Sequence, residues 1–198
     1  MTAPSLPESH ERGPLQLARL DSPLGTVVAA ADRFRVQLLT FGNDQSPEAA
    51  CAELSRIAGS PVAPGENPIL QQLRAELHEY FQGQRRRFQV PFLMHGTEFQ
   101  RQVWSQLQRI SCGQTASYQD IAAAVGNPAA VRAVGRANAT NRLCLLVPCH
   151  RVIAKDGTLG GYSGGLWRKR FLLELEQTGT SLRTTHHRTL QHSDPLLS

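Results

Sequence analysis

The sequence is short of the features that mark several protein classes. Its 198 residues contain no apolar run approaching the roughly 18 residues a membrane-spanning helix requires. The opening MTAPSLPESHERG lacks the basic-then-apolar layout of a secretory signal. Only four cysteines are present, Cys51, Cys112, Cys144 and Cys149, and they do not form the two close pairs of a structural zinc finger. Without a secretory signal a disulfide framework is not expected, so the thiols are read as reduced. These absences point to a soluble, unprocessed, cytoplasmic chain with no membrane partner and no metal. Acidic residues are scarce in one region: residues 93–177 hold 10 Lys/Arg against 5 Asp/Glu, whereas residues 1–92 hold 9 against 10. The net charge of +5 therefore belongs to the second half, where clustered cations can displace counterions from nucleic-acid phosphates.

What is present divides near residue 93. In the first part, LQLARL (15–20), TVVAAA (26–31) and FRVQLLTF (34–41) read as strands of a hairpin arrangement, broken at Pro23, Gly25 and Asp32. Ser46 caps and Pro47 opens a helix running to about Ile57. GSPVAPGENP (59–68) reads as a loop, and Asn67-Pro68 start a second helix with Ile69, Leu73, Leu77 and Phe81 on one face. QRRRFQVPFLMHG (84–96) supplies one more short strand and a linker.

In the second part Thr97-Glu98-Phe99-Gln100 has the spacing of a capping box, ahead of a helix whose Phe99, Val103, Leu107 and Ile110 share a face. Ser117 and Asp120 form a second box, opening a short helix through Val125. Gly126 ends it, and Asn127-Pro128 start another, so the layout is helix-turn-helix. On the second of these helices Arg132 and Arg136 share one face while Val131 and Val134 pack inward. Gly135 between them costs up to about 1 kcal/mol in a helix interior, which implies close approach of something. LCLLV (143–147) reads as an apolar strand, followed by VPCHR, a strand at Val152-Ile153, a turn at Asp156-Gly157 and the flexible GGYSGG (160–165). A last helix, about 166–176, has Leu166, Phe171 and Leu175 inward and Arg168-Lys169-Arg170 outward. From Thr178 onward the chain lacks apolar periodicity and reads as a disordered tail.

Pro148 fixes its own φ and turns the chain at Cys149, which places the thiol at a strand end. A thiol attacks as thiolate, and a neighbouring base such as His150 can generate it. Side chains of successive strand residues point to opposite faces, so direct contact needs a turn or a bridging water. Taken alone, a Cys-His dipeptide is far more often a small buried cysteine beside a satisfied core histidine than a nucleophile with its base.

The context of that dipeptide is more specific. The strings SYQDIAAAVGNPAAVRAVGRAN (117–138), NRLCLLVPCHRVIAKDGTLGGYSGG (141–165) and LLELE (172–176) resemble the O6-alkylguanine-DNA alkyltransferases, the methylated-DNA–protein-cysteine methyltransferases. SPLG (22–25) extends the likeness loosely into the first half. The resemblance implies an N-terminal RNase H-like α/β domain (1–92) of structural role and a C-terminal winged helix-turn-helix-like domain (93–177), α+β overall. It implies transfer of the alkyl group from O6-alkylguanine, and from O4-alkylthymine, to the protein's own cysteine, once per molecule, without a cofactor, by a monomer acting on double-stranded DNA.

Carried over residue by residue, Cys149 is the acceptor, His150 the base acting through water, Glu176 the acid that orients it, and Asn141 the residue that holds the turn. Tyr118, Tyr162 and Ser163 belong to the base-binding group, with Tyr118 and Ser163 as hydrogen-bond donors. Arg132 fills the gap left by the flipped base, Arg136 lies on the same helix, and small Ala133 and Gly135 let that helix approach the minor groove. Donors aimed at a departing guanine anion lower the barrier, and a target inside stacked DNA must be flipped out. Many members have Asn-Pro where this chain has Asn141-Arg142, and Cys144 replaces a small rigid residue near the alkyl pocket.

Overall fold

The computed structural model describes residues 13–42 and 47–179. Three strands, β1 (Leu15–Leu20), β2 (Val27–Ala31) and β3 (Val36–Phe41), form an antiparallel meander, and a short fourth, β4 (Val62–Pro64), joins β1 in parallel. The sheet order is β3-β2-β1-β4. The expected loop at 59–68 thus contains a strand. β4 is held by backbone bonds from Leu15 N–H to Pro61 O and from Gly65 N–H to Leu17 O, which need no side-chain alternation to form.

β2 is buried along its whole length because both sheet faces are covered. Val28 and Ala30 pack with Leu15, Leu38 and Leu54 of helix α1 (Pro47–Ala58), while Val27, Ala29 and Ala31 face the larger core. The residue expected to cap α1, Ser46, lies outside the described residues, as do residues 180–198 of the expected tail. Helix α2 (Pro68–Phe81) starts as its sequence demands. The Asn67 side chain accepts from Leu70 N–H at 2.9 Å and donates to Ala31 O and Asp32 O, fixing the helix start to the β2–β3 turn. The segment expected to hold a strand at 84–96 makes only a single parallel bridge, Phe92 to Val36 on the outer edge of β3.

The second half is helical. Helix α3 (Glu98–Leu107) and helix α4 (Tyr118–Ala124) both carry complete capping boxes, Thr97 with Gln100 and Ser117 with Asp120. Helix α5 (Val131–Ala139) begins later than expected. Asn127 and Ala130 close a separate turn, so the helix starts at Val131 with no side-chain cap. The Trp104 indole of α3 donates to Ala137 O of α5 at 2.9 Å and locks the two together. Two short parallel strands, β5 (Ala116–Ser117) and β6 (Val152–Ile153), precede helix α6 (Leu166–Thr178). One buried cluster runs without a break from β1–β3 and α2 through α3–α6.

Three expectations fail for a common reason. LCLLV is a series of tight turns in which Leu145 takes φ of 69°, bridging β3 only at Leu143–Leu39. Cys149 lies in a 3₁₀ turn, Cys149–Arg151, and not at a strand end. On α6, Arg168 and Lys169 are buried and Arg170 alone of the three is exposed, while Leu166 and Trp167 are each 48% exposed. In each case a partner far along the chain overrides the local pattern. No described helix is long and apolar enough to cross a membrane.

Gly96 supports this packing by close approach, since a Cβ there would lie 2.6 Å from the Trp104 ring. Because Trp104 is pinned, Gly96→Ala is expected to destabilise the protein by about 1–3 kcal/mol, measured by urea unfolding. A stability equal to wild type would contradict the tight fit.

Candidate active site

Four of the expected residues are brought together where the 3₁₀ turn meets α6. Asn141, just after α5, is the organiser. Its Oδ1 accepts from Leu143 N–H at 2.9 Å, and its Nδ2 lies 2.8 Å from Val147 O and 3.1 Å from Cys149 Sγ. One amide side chain therefore shapes the buried 143–147 turn and places the thiol. The turn is also gripped from outside: Leu39 N–H of β3 donates to Arg142 O, Cys144 N–H donates back to Leu39 O, both at 2.8 Å, and Arg142 pairs with Glu53 of α1. Arg142 thus anchors the turn to α1 through an ion pair.

His150 is fully buried. Its Nε2 is 2.9 Å from Glu176 Oε1. An ionised carboxylate only accepts hydrogen bonds, so Nε2 carries the proton and Nδ1 holds the lone pair. Nδ1 is buried without a hydrogen-bond partner among the described residues. No side-chain hydrogen bond joins Cys149 to the His150 ring among them either, so a proton passing between the two needs a bridge.

Glu176 is the centre of the arrangement. Besides His150, it accepts from the Tyr80 hydroxyl at 2.7 Å, from Gly113 N–H at 3.1 Å and from two guanidinium nitrogens of Arg151 at 2.8 and 2.9 Å. Burial by itself would raise its pKa. The hydrogen bonds of His150 and Arg151, with the Arg151 charge, outweigh burial and hold the carboxyl well below the usual carboxylate range. Burial pushes the His150 ring below its ordinary value against the pull of Glu176, and pushes the Cys149 thiol up against the Asn141 hydrogen bond and the nearby Lys169 cation. At neutral pH the site thus holds a neutral thiol and a neutral imidazole. That is not the thiolate beside a cationic histidine that the dipeptide alone evokes.

Of the base-binding candidates, Tyr118 stands near enough to Cys149 for the thiol to affect its ionisation. Tyr118, at the start of α4, has its hydroxyl 3.5 Å from Gly161 O, and a Cβ on Gly160 would lie 3.2 Å from its ring, so the 160–165 loop lies against it. Burial and the proximity of Cys149 raise its pKa, which keeps the phenol a donor. Tyr162 is half-buried and Ser163 exposed on that loop. Arg132, Ala133 and Arg136 are exposed on α5, and Gly135 is half-buried beside Tyr118. A Cβ on Gly135 would meet nothing closer than Tyr118 at 3.9 Å, so the chain's own packing does not demand glycine there.

Four contributors are missing from the sequence reading. Arg151 stands in the VPCHR string but carries no signal of its own. Tyr80 and Gly113 are remote in sequence. Lys169, assigned outward, is buried with Nζ on the carbonyls of Val152 (2.6 Å), Gly161 (3.2 Å) and Leu159, and burial brings its pKa down to about 8.

Comparison with known proteins gives a consistent picture. Residues 17–94 match the family described as the 6-O-methylguanine DNA methyltransferase ribonuclease-like domain, and residues 98–178 match the corresponding DNA binding domain. The methylated-DNA–protein-cysteine methyltransferase of Mycobacterium leprae is 42% identical over 158 residues, covering 80% of this chain and 90% of that protein. The constitutive methylated-DNA–protein-cysteine methyltransferase of Bacillus subtilis is 51% identical over 113 residues, 57% of this chain and 68% of that protein. The crystal structure of Mycobacterium tuberculosis OGT in complex with DNA aligns with a TM-score of 0.73 at 36% identity, covering 84% of this chain and 96% of that one.

The folded-state pKa of Glu176 lies below its unfolded value of about 4.3, so its contribution to stability is complete above that value and is lost as pH falls through the folded one. Glu176→Gln leaves the Arg151 cation buried without its counter-charge, with an expected cost of about 3–5 kcal/mol at neutral pH in chemical denaturation. The gap between variant and wild type should narrow in strongly acidic buffer. A gap independent of pH would contradict the ionised state assigned to the carboxyl.

Proposed function

The chain belongs to the methylated-DNA–protein-cysteine methyltransferases, and on that premise we propose that Cys149 is the alkyl acceptor of a DNA-repair reaction that each molecule performs once. The enzyme binds DNA and transfers alkyl groups from it to protein. The observation that carries the assignment of Cys149 is the pairing of one thiol, oriented by Asn141, with a buried histidine whose outer nitrogen is held by Glu176.

In this reading the thiol proton passes through a bridging water to His150 Nδ1 as Sγ attacks the carbon attached to O6 of guanine. The carbon–oxygen bond breaks, a thioether forms on Cys149, and guanine leaves as an anion. Glu176 supports the imidazolium that results. Hydrogen bonds from Tyr118 and Ser163 stabilise the charge on the leaving base, where donors fixed in advance lower the barrier most. A carbon–sulfur bond of this kind has no ready reversal, which makes the reaction stoichiometric.

The alkyl carbon of a duplex lesion lies within the base stack, so the nucleotide must rotate out before it can reach Cys149. Helix α5 enters the minor groove, where Ala133 and Gly135 permit close approach, Arg136 meets the backbone, and Arg132 fills the gap. Readout there is degenerate, which suits repair in any sequence. The substrate is O6-alkylguanine in double-stranded DNA, with O4-alkylthymine as a second lesion, and no cofactor takes part. Residues 1–92 form the structural domain and 93–177 the DNA-binding and acceptor domain of a monomer that works in the cytoplasm on nucleoid DNA.

After incubation with a duplex containing O6-methylguanine, peptide mass analysis should find one added methyl group on the peptide holding Cys149, and none in Cys149→Ala. An unmodified Cys149 peptide after full exposure would reject the assignment. Arg132→Ala should slow transfer into duplex DNA by an amount on the order of a few kcal/mol in activation energy, the scale of unstacking a base. The wedge role is wrong if that variant transfers at the wild-type rate in single-turnover assays.

A further inference from the structure

Arg168, like Lys169, is a cation that the helical pattern places in solvent and the structure buries, at 3% exposure. Its surroundings join two parts of the molecule that are far apart in sequence. Nε donates to Leu24 O at 3.0 Å, in the turn between β1 and β2, across a separation of 144 residues. A terminal nitrogen donates to Gly164 O at 2.7 Å, in the loop that carries Tyr162 and Ser163. The guanidinium also lies over two rings, 4.7 Å from the centroid of Phe41 on β3 and 4.6 Å from that of Trp167. A planar cation with a fixed fork of donors suits two carbonyls and two aromatic faces at once, and an ammonium does not.

The loop leaves little slack at this point. A Cβ on Gly164 would fall 2.7 Å from the Tyr162 ring and 3.0 Å from Phe41. Gly164 is therefore pressed between its own loop and the sheet, with Arg168 bonded to its carbonyl. The neighbouring Lys169 takes the carbonyls of Leu159 and Gly161 at the other end of the same loop. The first turn of α6 thus grips both ends of the segment, and Arg168 extends the grip to the sheet.

We propose that Arg168 is a positioning residue for alkyl transfer: by joining Gly164 to Leu24 and Phe41, it sets where Tyr162 and Ser163 stand and makes the N-terminal sheet part of the base-binding apparatus. This rests on the reading of Cys149 as acceptor and of the 160–165 loop as a base contact. Its physical basis is that donors stabilise a leaving group only when held to within fractions of an ångström. Arg168 touches neither thiol nor base in this scheme and acts through the loop.

The test separates loop placement from thiol reactivity. Transfer from an O6-methylguanine duplex needs the loop, whereas alkylation of Cys149 by iodoacetamide does not. For Arg168→Met, the single-turnover transfer rate at saturating duplex should fall on the order of tenfold to a hundredfold. The iodoacetamide rate at Cys149 and the affinity for undamaged duplex should both stay within about twofold, the scatter expected for groups outside the reacting set. Arg168→Lys keeps the charge but reaches one carbonyl at a time, and should show the same pattern more weakly; it decides the matter if the methionine variant does not fold. Wild-type transfer rates in both variants would overturn the proposal, and so would a parallel loss of both reactions, which would mark general damage to the site. Failure of the wild-type protein to gain a methyl group on Cys149 would instead reject the acceptor assignment.

Discussion

The buried carboxylate of Glu176 is the constraint on which the arrangement of this molecule depends. It is 3% exposed on α6 and accepts hydrogen bonds from Tyr80 on α2, from the backbone at Gly113 after α3, and from His150 and Arg151 on the 3₁₀ turn. A charge taken from water is tolerated only when its partners are complete, so each of these segments must arrive in register for any of them to be stable there. Gly113 is glycine for the same reason. Its φ is +83°, and a Cβ would come within 2.9 Å of the Glu176 carbonyl. The hub thus ties both halves of the chain together.

The same carboxylate decides the chemistry available to the thiol. By fixing the proton of His150 on Nε2, it leaves Nδ1 as the basic atom. By being fully paired, it spares the site a second mobile charge. The thiol remains neutral in the resting state because burial opposes its ionisation more strongly than Asn141 and Lys169 favour it. Such a cysteine is quiet toward stray electrophiles and becomes a nucleophile only when its proton has somewhere to go. The resting site therefore does not depend on an unusually acidic thiol.

How much of this was legible in the sequence follows from how local each interaction is. The capping boxes at Thr97 and Ser117, the Asn67-Pro68 start of α2 and the helix-turn-helix layout depend on residues within a few positions of each other, and all stand in the structure. The grouping of Asn141, Cys149, His150 and Glu176 was legible only through family likeness, since no periodicity links a residue after α5 to one on α6. The 143–147 turn, β4 and the burial of Arg168 and Lys169 were not legible. An apolar run has the same pattern in a buried strand and in a buried turn. A cation satisfied by carbonyls of Leu24 or Val152 looks, in one dimension, like any solvent-facing residue.

The docking of Arg142 and Cys144 on β3 has a further consequence. β3 is the last strand of its sheet, and such a strand would ordinarily offer a row of free backbone groups to another chain. Here the segment around Phe92 takes that edge at Val36 and the turn around Leu143 takes it at Leu39, so the bonds that hold the turn also cover part of the sheet edge. Placement of the Cys149 turn and protection of the sheet edge are coupled through a few shared hydrogen bonds. A lesion that loosens this turn would surface twice, once as lost chemistry and once as self-association along the newly bared strand.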